Sequence, residues 1–555
     1  MDAPFSYLTR AANLEAMAAE PVDLLVIGGG ITGAGIARDA AMRGIRTALV
    51  EMGDFAAGTS SRSSRLVHGG LRYLEHRHWK LVFEACRERR TLLRIAPHLV
   101  WPRSFLFPIH EGSRLSTWKL EAGLVLYDLL ALLRNVRLHR MLSKRALLQA
   151  EPGLRPRGLK GGARYFDAQC DDARLTLANV RDAHRHRAIV ANYARAERLE
   201  LAGGQVGGAQ ITDLVTGITR LVRARIVVNA AGPWSDEVRL PDGGVPALRC
   251  TKGVHIVVPK RALGNHEAIT FISPIDGRVM FIVPWGELTY IGTTESELDG
   301  GPGEVRASGE DVIYVLRSAN ALFPDARLGP EDVLATWAGV RPLVRQEDTT
   351  DPAAVSREHV IIESENGLLS IVGGKLTTYR SMAAEMVDRI AHHLHERDGR
   401  VVPARAPTHR EPLPGGESRD LDVVATAAIT DGFSETVALH LAHTYGSEAP
   451  AVARLALSDP KLNEPVVPGH TTLWAELLHA MRREMAITLS DLLIRRTHLF
   501  YAAPKAILEM APAIADLAVR EMEWDDARRE AELAAYRYEV ERGTAFRHEL
   551  TEAAD

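Results

Sequence analysis

The chain has 555 residues, 46% hydrophobic and 25% charged, with a formal net charge of −4. That is an ordinary globular composition, long enough for roughly two to four domains, and it lacks the global basic field expected of a nucleic-acid binder. Three dispersed cysteines, Cys86, Cys170 and Cys250, form no C-x-x-C pair, so neither a disulfide framework nor a zinc or iron–sulfur site is expected, and no metal.

Met1–Glu20 lacks a basic stretch leading into an apolar one, which argues against a secretory signal. It reads as a flexible or weakly helical leader with a frayed end. Residues 22–51 form one continuous device. An apolar strand, Val22–Ile27, runs into Gly28-Gly29-Gly30-Ile31-Thr32-Gly33, then a helix to Arg43, a strand Thr47–Val50, and Glu51. Each part has a job in binding a dinucleotide. Gly28 permits the tight turn, Gly30 lets the backbone approach a pyrophosphate, and Gly33 lets helix and strand pack closely. The helix N-terminus offers free N–H groups to the phosphates. Glu51 stands 51 − 28 = 23 residues past the first glycine, where an acid binds the ribose hydroxyls and disfavours a 2′-phosphate. This motif alone leaves FAD and NAD open.

Residues 59–73, TSSRSSRLVHGGLRY, are too rich in hydroxyls, cations and glycines for a core, and follow the adenine half-site directly. Their hydroxyls and N–H groups are suited to phosphates. Trp79–Ile95 reads as a helix with an apolar stripe of Trp79, Val82, Phe83, Cys86 and Leu93. Leu120–Leu133 is the longest apolar stretch, but it is short of a membrane span and broken by Glu121 and Asp128. A partly buried amphipathic helix is expected there, and interfacial attachment to a membrane stays open. Residues 163–250 return to α/β texture, ending in a buried strand Arg225–Ala230 and the small-residue turn Ala231-Gly232-Pro233-Trp234. Short strands at Val254–Val258, Val279–Val283 and Tyr290–Thr294 predict an antiparallel sheet set over the first domain. Leu369–Val372, Gly373-Gly374 and Lys375–Arg380 make a second strand–glycine–helix device, suited to the other end of a dinucleotide. Pro- and Gly-rich residues 403–417 read as a linker, and 418–545 as almost wholly helical.

These motifs match a known family. GGGITGAG at 28–35, TSSRSSRLVHGGLRYLEH at 59–76, APHLVWP at 96–102 and NAAGPW at 229–234 carry the first half of the match. KGVHIVVP at 252–259, IGTTE at 291–295, AGVRPL at 338–343 and GGKLTTYR at 373–380 carry the second. On these blocks the chain resembles the FAD-dependent, respiratory, quinone-linked glycerol-3-phosphate dehydrogenases, from about residue 21 to about residue 500. The HGGLRYLEH and GGKLTTYR blocks are highly specific. The oxygen-using glycerol-3-phosphate oxidases share most blocks, and some carry an extra segment that is not evident here.

The resemblance implies an α/β fold. A Rossmann-like FAD-binding domain (21–402) would hold an interleaved antiparallel-sheet substrate domain (about 97–165 and 245–345), followed by a C-terminal all-helical domain (418–555). It implies hydride removal from C2 of sn-glycerol 3-phosphate, giving dihydroxyacetone phosphate, with FAD as cofactor and a quinone as acceptor. Gly28, Gly30, Gly33, Glu51, Thr59, Ser60, Ser61, His68, Gly69, Gly232, Gly374, Leu376 and Thr377 are the expected cofactor-binding residues. For the phosphate dianion, Arg72, Tyr73, Arg341 and, less firmly, Arg357 are the candidates, since a guanidinium binds phosphate bidentately. His255 is the first choice of base, because a neutral imidazole accepts a proton near pH 7 and would point away from Val254 and Ile256 on a strand. His68 is the second. Lys375 would contact flavin or substrate. The family also implies a homodimer attached peripherally to the cytoplasmic face of an inner membrane. The competing readings are an H2O2-producing oxidase, another FAD-dependent amine or amino-acid oxidoreductase, and a flavin-binding scaffold without redox activity.

Overall fold

The computed structural model describes residues 4–75, 78–240, 245–298, 300–345 and 359–552. The apolar runs become central strands. Val22–Ile27 and Thr47–Val50 are wholly buried, as strands covered on both faces must be. They pair in parallel, Leu25 beside Ala48, and Val22–Ile27 pairs on its other edge with Thr219–Asn229, Leu25 beside Val227. Leu369–Gly373 and Ile189–Ala191 extend the sheet in parallel, and His359–Glu363 adds an antiparallel edge. Leu24 and Val26 face one core, shared with helices Ile31–Met42, Asp172–Arg185 and Tyr379–Asp398. Val22, Leu25 and Ile27 face the other. The α/β architecture expected from the sequence is the one found.

The leader differs from expectation. Residues Tyr7–Ala19 form a helix capped by Ser6, with Leu14 and Met17 in the second core. Arg10 is buried, pairs with Asp213 at 2.6 Å and donates to the carbonyls of Asn192 and Tyr193. The segment is thus a structural layer and not a frayed end. Its anchor is a buried cation, which leaves no apolar period to read.

The second sheet draws on residues 66–67, 100–170 and 248–344. Its long strands are Val100–His110, Leu159–Cys170, Leu248–Pro259 and Ala335–Val344. It is antiparallel as expected, except that Ala268–Ile272 lies parallel to Val100–His110. The alternation around His255 is realised: Val254 and Ile256 join one core and Val257 the opposite one.

The helical C-terminal segment is not a separate body. Helices Leu421–Thr430, Glu435–Tyr445 and Ala449–Leu457 share a small core of their own. From Trp474 onward the helices pack on the second sheet, Leu477 and Tyr536 sharing a core with Phe105 and Trp337. Buried ion pairs latch this segment to the nucleotide layer: Arg495 and Arg496 both reach Asp54, at 2.6 and 2.7 Å, and Arg174 reaches Glu484 at 2.6 Å. A π-helical turn, Asp491–Arg496, brings the two adjacent arginines to one carboxylate.

Candidate active site

A cavity of about 930 Å³ runs between the two sheets. Its nucleotide end is made of backbone. Gly28 has φ +111°, and a Cβ there would strike the Ala230 carbonyl. A Cβ on Gly33 would collide with the carbonyl of Gly28, so strand and helix meet only because both residues are glycine. Ser60 Oγ accepts from the Ile31 N–H at 2.9 Å. The Glu51 carboxylate accepts from the N–H groups of Gly29 (2.6 Å) and Gly53 (2.8 Å). Desolvation raises its pKa, and those two N–H groups oppose the rise. The carboxylate is therefore fixed in the cavity wall, with lone pairs left for further donors. Gly30, Thr59, Gly232, Gly374, Leu376 and Thr377 line the same cavity.

The other end is made of side chains. His255 ends up beside Gly292 on one neighbouring strand and Trp337 on the other. Its ring stacks on Trp337 at 4.9 Å, and its Nε2 lies 2.9 Å from Ser64 Oγ. The Nδ1 atom is buried without a hydrogen-bond partner. Burial, then the charges of Arg341 and Arg65, pushes its pKa down to about 3, so the ring is neutral at pH 7. Arg341 lies across Gly253, where a Cβ would strike the guanidinium. It donates to Thr293 Oγ1 at 2.8 Å and to the carbonyls of Lys252 and Thr294. Lys375 Nζ sits 3.3 Å from the centre of the Tyr73 ring. Tyr73, His255, Arg341 and Lys375 all line the one cavity.

This geometry agrees with sequence comparison. The FAD dependent oxidoreductase family matches residues 23–380, and the C-terminal domain of alpha-glycerophosphate oxidase matches residues 406–529. The aerobic glycerol-3-phosphate dehydrogenase of Staphylococcus haemolyticus is 38% identical over 89% of this chain and 90% of its own. That of Staphylococcus aureus is 37% identical over 94% and 93%. The structure of glycerol-3-phosphate dehydrogenase from Bacillus halodurans complexed with FAD superposes with a TM-score of 0.82, at 33% identity, covering 97% of this chain and 98% of that one. The chain belongs to the FAD-dependent glycerol-3-phosphate dehydrogenase family. A more distant L-alpha-glycerophosphate oxidase from Mycoplasma pneumoniae, 16% identical with a TM-score of 0.54, shares the fold.

Within this dehydrogenase fold, some expected site residues stand elsewhere. Ser61 is buried but does not line the main cavity. Gly69 faces away from it: its N–H donates to Tyr127 Oη at 2.8 Å, and a Cβ would strike that hydroxyl and the Cys86 sulfur. Gly33 shapes the cradle without lining it. His68 lines the cavity and packs edge-on against Phe281 at 6.3 Å. Arg357 lies outside the described residues, and of Arg72 only the backbone is described, in the short 3-10 turn Leu71–Leu74. Asp182, His186 and Glu411 lie close enough to hold a cation, but Asp182 is paired with Arg38 and His186 with Glu411.

Sequence reading missed the residues that weld the 59–65 loop onto the second sheet. Trp337 Nε1 donates to the Ser63 carbonyl at 3.0 Å, Tyr290 Oη to the Ser64 carbonyl at 2.9 Å, and Thr59 Oγ1 to the Val340 carbonyl at 2.7 Å. Arg65 is buried with its guanidinium 4.0 Å over the Trp285 ring and 3.7 Å from Asp172. The dense hydroxyl-and-cation run 59–65 was the available signal. Its partners are more than a hundred residues away.

Proposed function

We propose that this chain oxidises sn-glycerol 3-phosphate to dihydroxyacetone phosphate, with a quinone as the final electron acceptor. The observation that carries the reading is one cavity with two chemically distinct ends, in a chain similar along most of its length to enzymes named for that activity. FAD fits the nucleotide end. A Cβ at Gly28 or Gly33 would collide with neighbouring backbone, so the phosphate-facing turn keeps its shape only with glycine, and the Glu51 carboxylate is oriented into the wall by two backbone N–H groups. Gly30, Ser60, Glu51, Gly232 and Gly374 would hold it. When bound, FAD supplies the acceptor for the hydride from C2.

The protein's own residues position the substrate and manage its charge and proton. Arg341 and Lys375 concentrate positive charge where a phosphate dianion must sit, with Tyr73 against the ammonium. Arg72 is kept as a further phosphate ligand and Arg357 as a weaker one, on the family resemblance. His255 is the proposed base. That role requires the tautomer in which Nε2–H donates to Ser64 Oγ, 2.9 Å away, leaving the lone pair on Nδ1. A ring held this far below its ordinary pKa carries no second proton before the substrate binds, and takes up the hydroxyl proton only as the C2 carbonyl forms. Attachment to the cytoplasmic face of a membrane and a homodimer complete the reading, on the same resemblance. No helix among the described residues is long and apolar enough to cross a membrane.

The test is steady-state oxidation of sn-glycerol 3-phosphate by the purified holoenzyme with a water-soluble quinone, with and without oxygen. Dihydroxyacetone phosphate should form at equal rates in both, and H2O2 should be a trace. The C-terminal match to an oxidase domain keeps the oxidase as the second reading, and stoichiometric H2O2 with no quinone dependence would establish it.

A further inference from the structure

Arg65 is 1% exposed, and its Nε is buried without a hydrogen-bond partner. Its surroundings are ring faces. The guanidinium carbon lies 4.0 Å from the centre of the Trp285 ring, 5.3 Å from that of Trp337 and 5.4 Å from that of Tyr501. Asp172 is 3.7 Å away, outside hydrogen-bond range. The buried arginines that latch the C-terminal segment differ: Arg174, Arg495 and Arg496 each reach a carboxylate at 2.6 or 2.7 Å. Burying a guanidinium costs free energy that close, hydrogen-bonded pairs offset. For Arg65, ring faces and a distant carboxylate do so only in part.

The backbone holds this charge in place. Arg65 is left-handed, φ +52°, a region that costs energy for a residue with a side chain. Its N–H donates to Ser63 Oγ at 2.9 Å, and its carbonyl accepts from the Cys170 N–H at 2.8 Å. The two residues before it are pinned as well, the Ser63 carbonyl by Trp337 and the Ser64 carbonyl by Tyr290. Ser64 Oγ in turn lies against His255 Nε2. One fixed segment thus sets both the hydrogen-bond partner of the imidazole and the position of the cation. The two groups share a wall, since the His255 ring stacks on Trp337 at 4.9 Å with 15° between the planes.

The groups around the ring act unequally. Burial disfavours a second proton on His255 most, then Arg341, then Arg65. Tyr290, on Leu288–Gly292, faces the ring edge-on at 6.2 Å. On the strand of His255 itself, Lys252 is paired with Asp311 at 2.7 Å. Asp172 Oδ2 accepts from the Ser63 N–H and Oγ–H at 3.1 and 2.7 Å, and Asp171 pairs with His498 at 2.6 Å. Arg341 lines the main cavity as the proposed phosphate ligand, so a bound dianion cancels much of its field at the ring. Arg65 does not line that cavity. Its charge therefore persists when the substrate is bound, at the step where the imidazole must still be able to accept a proton.

We propose that Arg65 is a positioning residue for the reaction: its charge, held against the Trp337 ring and away from the substrate, keeps the His255 lone pair free in the substrate complex. The inference rests on the reading of His255 as the base. The same cation favours release of the proton that His255 takes from the C2 hydroxyl, which readies the ring for the next turnover.

The experiment follows kcat of the flavin-loaded full chain with a water-soluble quinone from about pH 4 to about pH 8, since kcat reads the groups of the substrate complex. Arg65→Met combined with Asp172→Asn removes cation and carboxylate together, so neither is left buried alone. Flavin content should stay at the wild-type level, and the acid limb of kcat should rise by about 1 pH unit. Arg65→Lys keeps the charge and loses the planar fork, and should return the limb towards its wild-type position. Asp172→Asn alone strips the cation of its counter-charge, so the limb should stay or fall; this variant decides the matter if the double variant does not fold. Identical pH profiles for the double variant and the parent, or a loss of kcat that is uniform across pH, would mean a packing role only and overturn the inference. A limb that rises in Asp172→Asn also overturns it. An inactive His255→Asn beside such profiles leaves the base standing and refutes the part given to Arg65. His255→Asn with wild-type kcat refutes the base, and this inference with it.

Discussion

At the nucleotide end of the main cavity, Gly28, Gly33 and Glu51 come from one stretch of 24 residues, counted inclusively. At the other end, Ser64, His255, Arg341 and Lys375 come from four segments spread over 375 − 64 = 311 residues. The first end is specified by absence: two positions where no side chain fits, and an acid held by backbone N–H groups. The second is specified by pairing: His255 meets Ser64 only because Leu248–Pro259 pairs with Ala335–Val344, and Trp337 is tied to the Ser63 carbonyl. A local device should fail all at once when one atom is added. A distributed one should lose function in graded steps while the cofactor stays.

The largest effect is expected from Gly33→Val. Its side chain has no space against the Gly28 carbonyl, so flavin loading should be lost and the Rossmann layer destabilised; the flavin-to-protein absorbance ratio of the purified variant measures this. A fully loaded Gly33→Val protein would break the comparison at its first term. Arg341→Ala should retain flavin but lose about 2–5 kcal/mol of transition-state binding, read from kcat/KM. Loss of flavin with unchanged turnover of the remaining holoenzyme would place Arg341 at the wrong end.

Acid should act on the parts built from side chains. His98 and His255 are pushed down to about 3 and His479 to about 4, each chiefly by burial. The unfolded chain takes up these protons below pH 6.5 and the folded chain does not, so stability falls as pH drops from 6.5 towards those values. The loss is about 1.4 kcal/mol per histidine for each pH unit in that range. The melting temperature should therefore decline between pH 7 and pH 5, and His255→Asn should decline less. Equal slopes for the two proteins would mean that His255 is not held neutral. The smallest effect belongs to Ser64→Ala, which removes one neutral hydrogen bond. A drop of about 2- to 10-fold in kcat, with KM nearly constant, corresponds to about 0.5–1.5 kcal/mol.

The same contrast explains what could be read from the sequence. The glycine devices at 28–33 and 373–374 announce themselves because a turn and a helix start leave marks on consecutive residues. The alternation around His255 gave the direction of its ring, since a strand with two cores leaves that signature. The partner of that ring did not show, because register between distant strands has no local mark. Ser61 and Gly69 sat in the right loop but turn away from the cavity, and only the tertiary weld at 59–65 decides which hydroxyl faces where. The helix Tyr7–Ala19 and the latch of Arg495 and Arg496 on Asp54 escaped for a related reason. Their anchors are buried charges, and charge in a sequence reads as surface.

The most direct measurement is anaerobic mixing of the flavin-loaded protein with sn-glycerol 3-phosphate, followed by visible absorbance. The account predicts rapid bleaching of the oxidised flavin band in the wild type and slow bleaching in Arg341→Ala. An intact flavin that stays oxidised in the wild type at saturating substrate would contradict it.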